Sequence, residues 1–190
     1  MPGYTVVNEV SQSLVGVLQE GLTVVGATVA TDDLQGPVPG TLYLSVFLFE
    51  VGEDPNSRNR PRGRTLAAPD IRISRPPLSL HLRYLLTPWG SDEAARHLLL
   101  GRAMQVLNDH PILSGAQLVG DLADEDQTIN IVMSPMSLED RTRVWHAVQK
   151  PYRLSVSYDV RVIHLDSEVS NSVRPVRERG IGTVTPGGGA

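Results

Sequence analysis

A chain of 190 residues with 41% hydrophobic content can bury a core of its own, and the simplest division is one domain with short tails. A formal net charge of −4 and a pI near 5.7 argue against a nucleic-acid or anionic-membrane binder, both of which usually carry excess positive charge. The absence of cysteine removes disulfides, thiolate metal sites and a cysteine nucleophile together, and fits folding in a reducing compartment. The start, Met-Pro-Gly-Tyr, has no charged region followed by a cleavable apolar segment, and no apolar run approaches the ~20 residues of a spanning helix, so the sequence predicts a soluble protein.

In chain order, residues 5–20 place Val6, Val7, Val10, Leu14, Val17 and Leu18 at helical spacing, and Gly21 follows as the expected stop. A β-branched run over 23–31 leads into the Asp-Asp and Gly-Pro-x-Pro-Gly segment of 32–40, which breaks regular structure. The next stretch, TLYLSVFLFEV (41–51), is apolar at odd and even positions and predicts a strand covered on both faces at the centre of a sheet. In EDPNSRNRPRGR, Arg58, Arg60, Arg62 and Arg64 crowd between two strands, with Pro55, Pro61 and Gly63 denying helix; a solvated loop is expected there, suited to an acidic partner.

Three later strands alternate. Leu78, Leu80, Leu82, Tyr84 and Leu86 oppose Ser79, His81, Arg83 and Leu85. Ile129, Ile131 and Met133 oppose Thr128 and Asn130. Tyr152, Leu154, Val156, Tyr158, Val160 and Val162 oppose Arg153, Ser155, Ser157, Asp159 and Arg161. Strands with one apolar face predict an α+β fold, a mostly antiparallel mixed sheet with helices packed on one face, in the order α-β-β-β-α-β-α-β. Of the remaining helices, one runs from an N-cap at Ser91 to a stop at Asn108, His110 and Pro111, with an unusually wide apolar stripe and Gly101 mid-way, which suggests close packing on more than one side. The other, over 138–149, opens at Ser137 with Asp140 three places on. The Gly- and Pro-bearing end after 166 predicts an extended arm, giving a domain at 1–166 and an arm at 167–190 that carries Arg174 and Arg177.

Catalytic and metal motifs are missing. His81, His97, His110, His146 and His164 show no H-x-x-x-H or H-E-x-x-H spacing, and His110 suits a helix C-terminus instead. There is no G-x-S-x-G elbow, no G-x-x-x-x-G-K loop and no EF-hand pattern in the acidic run at 121–126. No catalytic residue, metal or cofactor is expected.

The stretch PPLSLHLRYLLTPWGSDEAARHLLLGRAMQVLNDHPILSG (76–115) resembles the signature region of the tail terminator, or cap, proteins of contractile injection systems, phage-tail-like particles assembled by bacteria. Pro77, Leu78, Leu82, Tyr84, Leu85, Leu86, Thr87 and Pro88 carry the resemblance, then Leu100, Gly101, Ala103, Met104, Gln105, Leu107, His110 and Pro111. It implies a non-enzymatic subunit of a hexameric ring that terminates the tube and sheath. The implied partners are further copies of the chain, the inner tube protein and the sheath protein, with no nucleic acid and no membrane insertion. Assembly would be cytoplasmic, in a particle that stays intracellular or is released. Under that reading the polar strand face of Arg153 and Arg161 lines the lumen or meets a neighbour, Trp89 and His110 lie near a subunit boundary, and the arms bearing Arg58, Arg60, Arg62, Arg64, Arg174 and Arg177 touch partners. The alternative from another class is a small adaptor binding an acidic protein through the Arg-rich loop.

Overall fold

The structure, a computed structural model, describes residues 3–36, 40–54, 63–67, 70–74, 77–124, 127–165 and 170–173. Two compact units divide the chain, one from Met1–Arg60 with Pro77–Asp166 and the other from Pro61–Pro76 with Ser167–Ala190.

The larger unit is built on a six-stranded sheet. Its strands are β1 (Thr28–Thr31), β2 (Tyr43–Glu53), β5 (Leu78–Trp89), β6 (Ile112–Ser114), β7 (Thr128–Met133) and β8 (Val156–Leu165), in the lateral order β1-β2-β5-β8-β7-β6. Only the β1–β2 pairing is parallel, so the sheet is mixed and mostly antiparallel, as the alternation predicts. The smaller unit holds β3 (Gly63–Ala67), β4 (Asp70–Ser74) and β9 (Ser170–Val173), an antiparallel sheet in the order β3-β4-β9. These three strands go beyond the sequence-based order, which placed a loop over 53–64, including the Gly63 and Arg64 that open β3, and an extended arm after 166.

Helices α1 (Val6–Leu22) and α2 (Glu93–Asp109) pack on one face of the large sheet. Val10, Leu14 and Leu18 of α1 and Leu99, Ala103 and Leu107 of α2 meet Leu44, Leu82, Tyr84 and Val160 in the main core, all 1–2% exposed or less. Two buried serines add polar ties. Ser11 donates to the Val7 carbonyl and pairs with the Tyr84 hydroxyl at 2.8 Å; Ser13 donates to the Glu9 carbonyl and accepts from the Val119 N–H at 3.1 Å.

Local differences from expectation have physical causes. Gly21 does not stop α1. The helix continues to Leu22 and a 3₁₀ turn over Thr23–Val25, and Gly26, with φ +65°, ends it by donating its N–H to the Thr23 carbonyl. A side chain at Gly21 would overlap Val106 of α2, so that glycine lets two helices approach. Gly101 is exposed with open space around its Cα, contrary to the close packing expected of it. The N-cap of α2 is Asp92, whose carboxylate accepts from the Ala95 N–H at 2.8 Å, one place after Ser91. Pro88 lies within β5, beyond the last residue pair with β8, where its missing N–H costs no ladder bond. The strands at the centre are β5 and β8, and β2 lies next to the edge. Apolarity at every position reports cover on both faces, which β2 has, and not lateral position.

That second cover is α4 (Leu138–Ala147), seated on the face opposite α1 and α2. Ser137 caps it, accepting from the Asp140 N–H at 3.1 Å, as the sequence pattern predicts. Trp145, the buried residue of α4, joins Leu34, Leu85, Trp89 and Val148 in a smaller cluster. A one-turn helix, α3 (Asp121–Asp124), closes the element set.

Candidate functional site

The second face of the large sheet is divided. Under α4 the nominally polar positions at the start of β8 are inside: Ser155, just before the strand, and Ser157 within it are 0% and 3% exposed. Trp89 is also inside at 4%, with its ring edge-on to Trp145 (centroids 6.3 Å apart, 65° between planes) and its indole N–H donating to Ser45 Oγ at 2.9 Å. The Arg153 guanidinium stacks over the Trp89 ring at 4.6 Å and seals that cluster from solvent. Of the expected polar strand face, Ser155 and Ser157 are therefore buried within the chain, as is Trp89, which was expected near a subunit boundary.

Beyond α4 the same face is charged. Arg83 on β5 donates through its terminal nitrogen to Glu50 of β2 at 2.7 Å and through Nε to Asp159 of β8 at 3.2 Å, tying three adjacent strands. The opposed carboxylates raise the Arg83 pKa against a desolvation contribution that lowers it. His81, two residues earlier, approaches Asp159 at 3.4 Å, and the Arg83 guanidinium lies over the Phe49 ring at 5.2 Å. Registered opposite His81 on β8, and opposite Asn130 on β7, is the exposed Arg161. Val132 and Ile112, 56% and 53% exposed, lie on the adjoining strands. A charged strip with apolar margins on an ordered sheet is suited to contact with another protein.

The remaining expected residues are placed as follows. His110 is the exposed C-cap of α2, its N–H donating to the Val106 carbonyl and its Nδ1 lying 3.2 Å from Gln117 Nε2. Arg64 is in β3 opposite Ile73. Arg58, Arg60, Arg62, Arg174 and Arg177 lie outside the described residues. The Glu50–Arg83–Asp159–His81 group was not assembled from sequence. Its signal was the polar phase of LSLHLRYLL, but which β2 and β8 residues face it depends on register and on a bulge between Leu48 and Glu50. Among the described residues, no group of three or more His, Asp or Glu is placed to hold a metal ion, and no helix is long and apolar enough to cross a membrane.

Fold and face together describe an α+β fold with a charged strip on one face of its large sheet. The chain belongs to the Pvc16 N-terminal domain family, whose model matches residues 9–179. No curated protein sequence matches it. Among solved structures, the fold is similar to the PVC sheath/tube terminator of an extracellular contractile injection system in its extended state, with a TM-score of 0.70 at 18% identity over 98% of this chain and 66% of that one. It is similar also to the anti-feeding prophage tube-terminating cap, with a TM-score of 0.61 at 19% identity over 96% of this chain and 62% of that one. The chain thus spans just under two thirds of the length of these neighbours. The resemblance to tail terminators read from residues 76–115 agrees with the family and with both structures.

Proposed function

We propose that the protein is a structural subunit of a hexameric cap ring that terminates the tube and sheath of a contractile injection system, with copies of itself, the tube protein and the sheath protein as partners. The observation that carries this reading is the family match across residues 9–179 together with a fold shared over nearly the whole chain with a sheath/tube terminator. The role requires no catalysis: surfaces stop polymer growth by occupying the end. The charged strip around Arg83, Asp159 and Arg161 is then a contact surface toward a neighbour or the tube, and the Arg-bearing segments at 58–64 and 174–177 are contacts toward partners. Assembly would take place in the cytoplasm. Deleting the gene in a particle-forming cell and measuring tube lengths by electron microscopy tests the reading. Tubes of uncontrolled length, or tubes without stable sheaths, are expected; normal capped particles overturn it.

A further inference from the structure

The large sheet has a stepped edge. β1 pairs with β2 only from Tyr43 to Val46, so from Phe47 to Gly52 no strand among the described residues covers that side of β2. An unpaired run of this length is a template for strand addition unless something occupies it. Just beyond the end of β1 a groove of about 560 Å³ opens between β2 and α1, lined by Val7, Ser11, Phe47 and Leu48, with Tyr4 on one rim and Asp32 and Asp33 on the other. Tyr4 is 90% exposed, an aromatic with nothing packed on it.

The rim is strongly one-signed. Asp32 accepts from the Leu34 N–H and the Tyr43 hydroxyl, and Asp33 from the Gln35 N–H, and neither meets a cation among the described residues. Residues 1–57 hold seven Asp and Glu and no Lys or Arg, the first basic residue being Arg58. The opposite composition stands at the other end of the chain. Residues 174–190 hold three Arg and one Glu, followed by Gly-Ile-Gly-Thr-Val-Thr, whose β-branched residues suit an extended strand. Seventeen residues extended reach roughly 55–60 Å, enough to leave one subunit and lie along another.

We propose that residues 174–190 of a second copy of this chain dock in the groove beside Phe47–Gly52, adding a strand to the open edge of β2 with Arg174, Arg177 and Arg179 on the Asp32/Asp33 rim and beside the Tyr4 ring. The contact is head-to-tail, so it propagates around a closed ring of copies. It rests on the ring reading given above.

The chain has no cysteine, which makes disulfide trapping clean. Val51 lies on the open length of β2 and is 51% exposed. Full-length Val51→Cys is mixed with separately prepared Ile181→Cys, Thr183→Cys or Val184→Cys, oxidised, and analysed by peptide mass spectrometry, with native mass measured in parallel. A disulfide requires Cα atoms about 4.4–6.8 Å apart, so it reports docking and not mere proximity. The expected result is a link between residue 51 of one copy and one of the three tail cysteines of another, at least fivefold weaker when Asp33→Lys or Tyr4→Ala is added and when salt is raised. A ring with no such link overturns the docking alone. A monomer with no link overturns docking and the ring in solution together. A link that forms only when both cysteines are in one chain overturns the second-copy assignment.

Discussion

Gly21 and Gly101 each lie within a helix, and the structure gives them opposite consequences. At Gly21 in α1, an added Cβ would overlap Val106 Cγ2 and sit 2.9 Å from Cγ1; at Gly101 in α2 it would meet nothing within 4 Å. Replacing either by Ala removes the backbone entropy penalty of glycine in a helix, a gain of about 1 kcal/mol. Gly101→Ala should realise that gain nearly in full. Gly21→Ala must also push apart two helices of a close-packed core, which costs about 1–3 kcal/mol, so the net expectation is a loss of up to about 2 kcal/mol. Val106→Ala alone removes two buried methyls, worth about 2 kcal/mol with its cavity. Combined with Gly21→Ala, the new Cβ fills part of that cavity, so the double variant should be more stable than the sum of the singles by about 1–2 kcal/mol. Urea midpoints at unchanged slope measure each change. Equal stabilisation by Gly21→Ala and Gly101→Ala, or strict additivity with Val106→Ala, would refute the α1–α2 contact as described.

Other expectations follow from the second face and the buried tyrosine. Arg83→Ala removes the bridge between Glu50 and Asp159 and should cost about 1–2 kcal/mol, shrinking as salt rises because all three side chains retain solvent contact; an effect blind to salt would argue that Arg83 acts by packing. Arg153→Ala uncovers one of only two tryptophans and should red-shift emission and raise iodide quenching, with a loss of about 0.5–1 kcal/mol; an unchanged spectrum would remove the stacking from the account. Arg161→Glu should leave the unfolding midpoint of the isolated chain within about 0.5 kcal/mol of the parent while altering ring formation in native mass, and a severe loss of stability would count against a contact role. Burial pushes the Tyr84 hydroxyl up to about 12, with the Ser11 hydrogen bond acting the other way. The unfolded chain releases that proton near 10, so the contribution of Tyr84 is complete below pH 10 and is lost between pH 10 and 12, at most about 3 kcal/mol. Tyr84→Phe should flatten alkaline unfolding in that window, and an unchanged profile would show that other groups set it.

Much of the fold was legible because the alternation of LSLHLRYLL and of the last strand is governed by one apolar core, and Leu82, Tyr84 and Val160 are where period two puts them. The same rule failed for Ser155 and Ser157. Small polar side chains read as solvent-facing, but they are what lets the Trp145 ring of α4 sit close against the strand, with Trp145 Nε1 3.4 Å from Ser155 Oγ. Nothing local to β8 announces a helix that covers half of its second face. Gly21 shows the converse: a glycine near a helix end reads as a stop, and only the position of Val106, 85 residues away in sequence, reveals it as a contact.

The division of the second face follows from these contacts and bears on function. Where β8 carries serine, α4 can cover the sheet. Where it carries Asp159 and Arg161, cover by the same helix would bury charges that water now serves, at a cost larger than the apolar area would return. Arg83 offsets this in part by bridging Glu50 and Asp159, which leaves that trio with one negative charge in excess beside Phe49, and Arg161 lies exposed next to Val132 and Ile112. A partner meeting this face gains apolar area from those two side chains and needs one carboxylate for Arg161, with the Arg83 bridge already satisfied. Under the cap reading proposed above, that asymmetry makes Arg161 the more discriminating position: removing Arg83 would disturb the fold itself, whereas reversing Arg161 would change only what this face can bind.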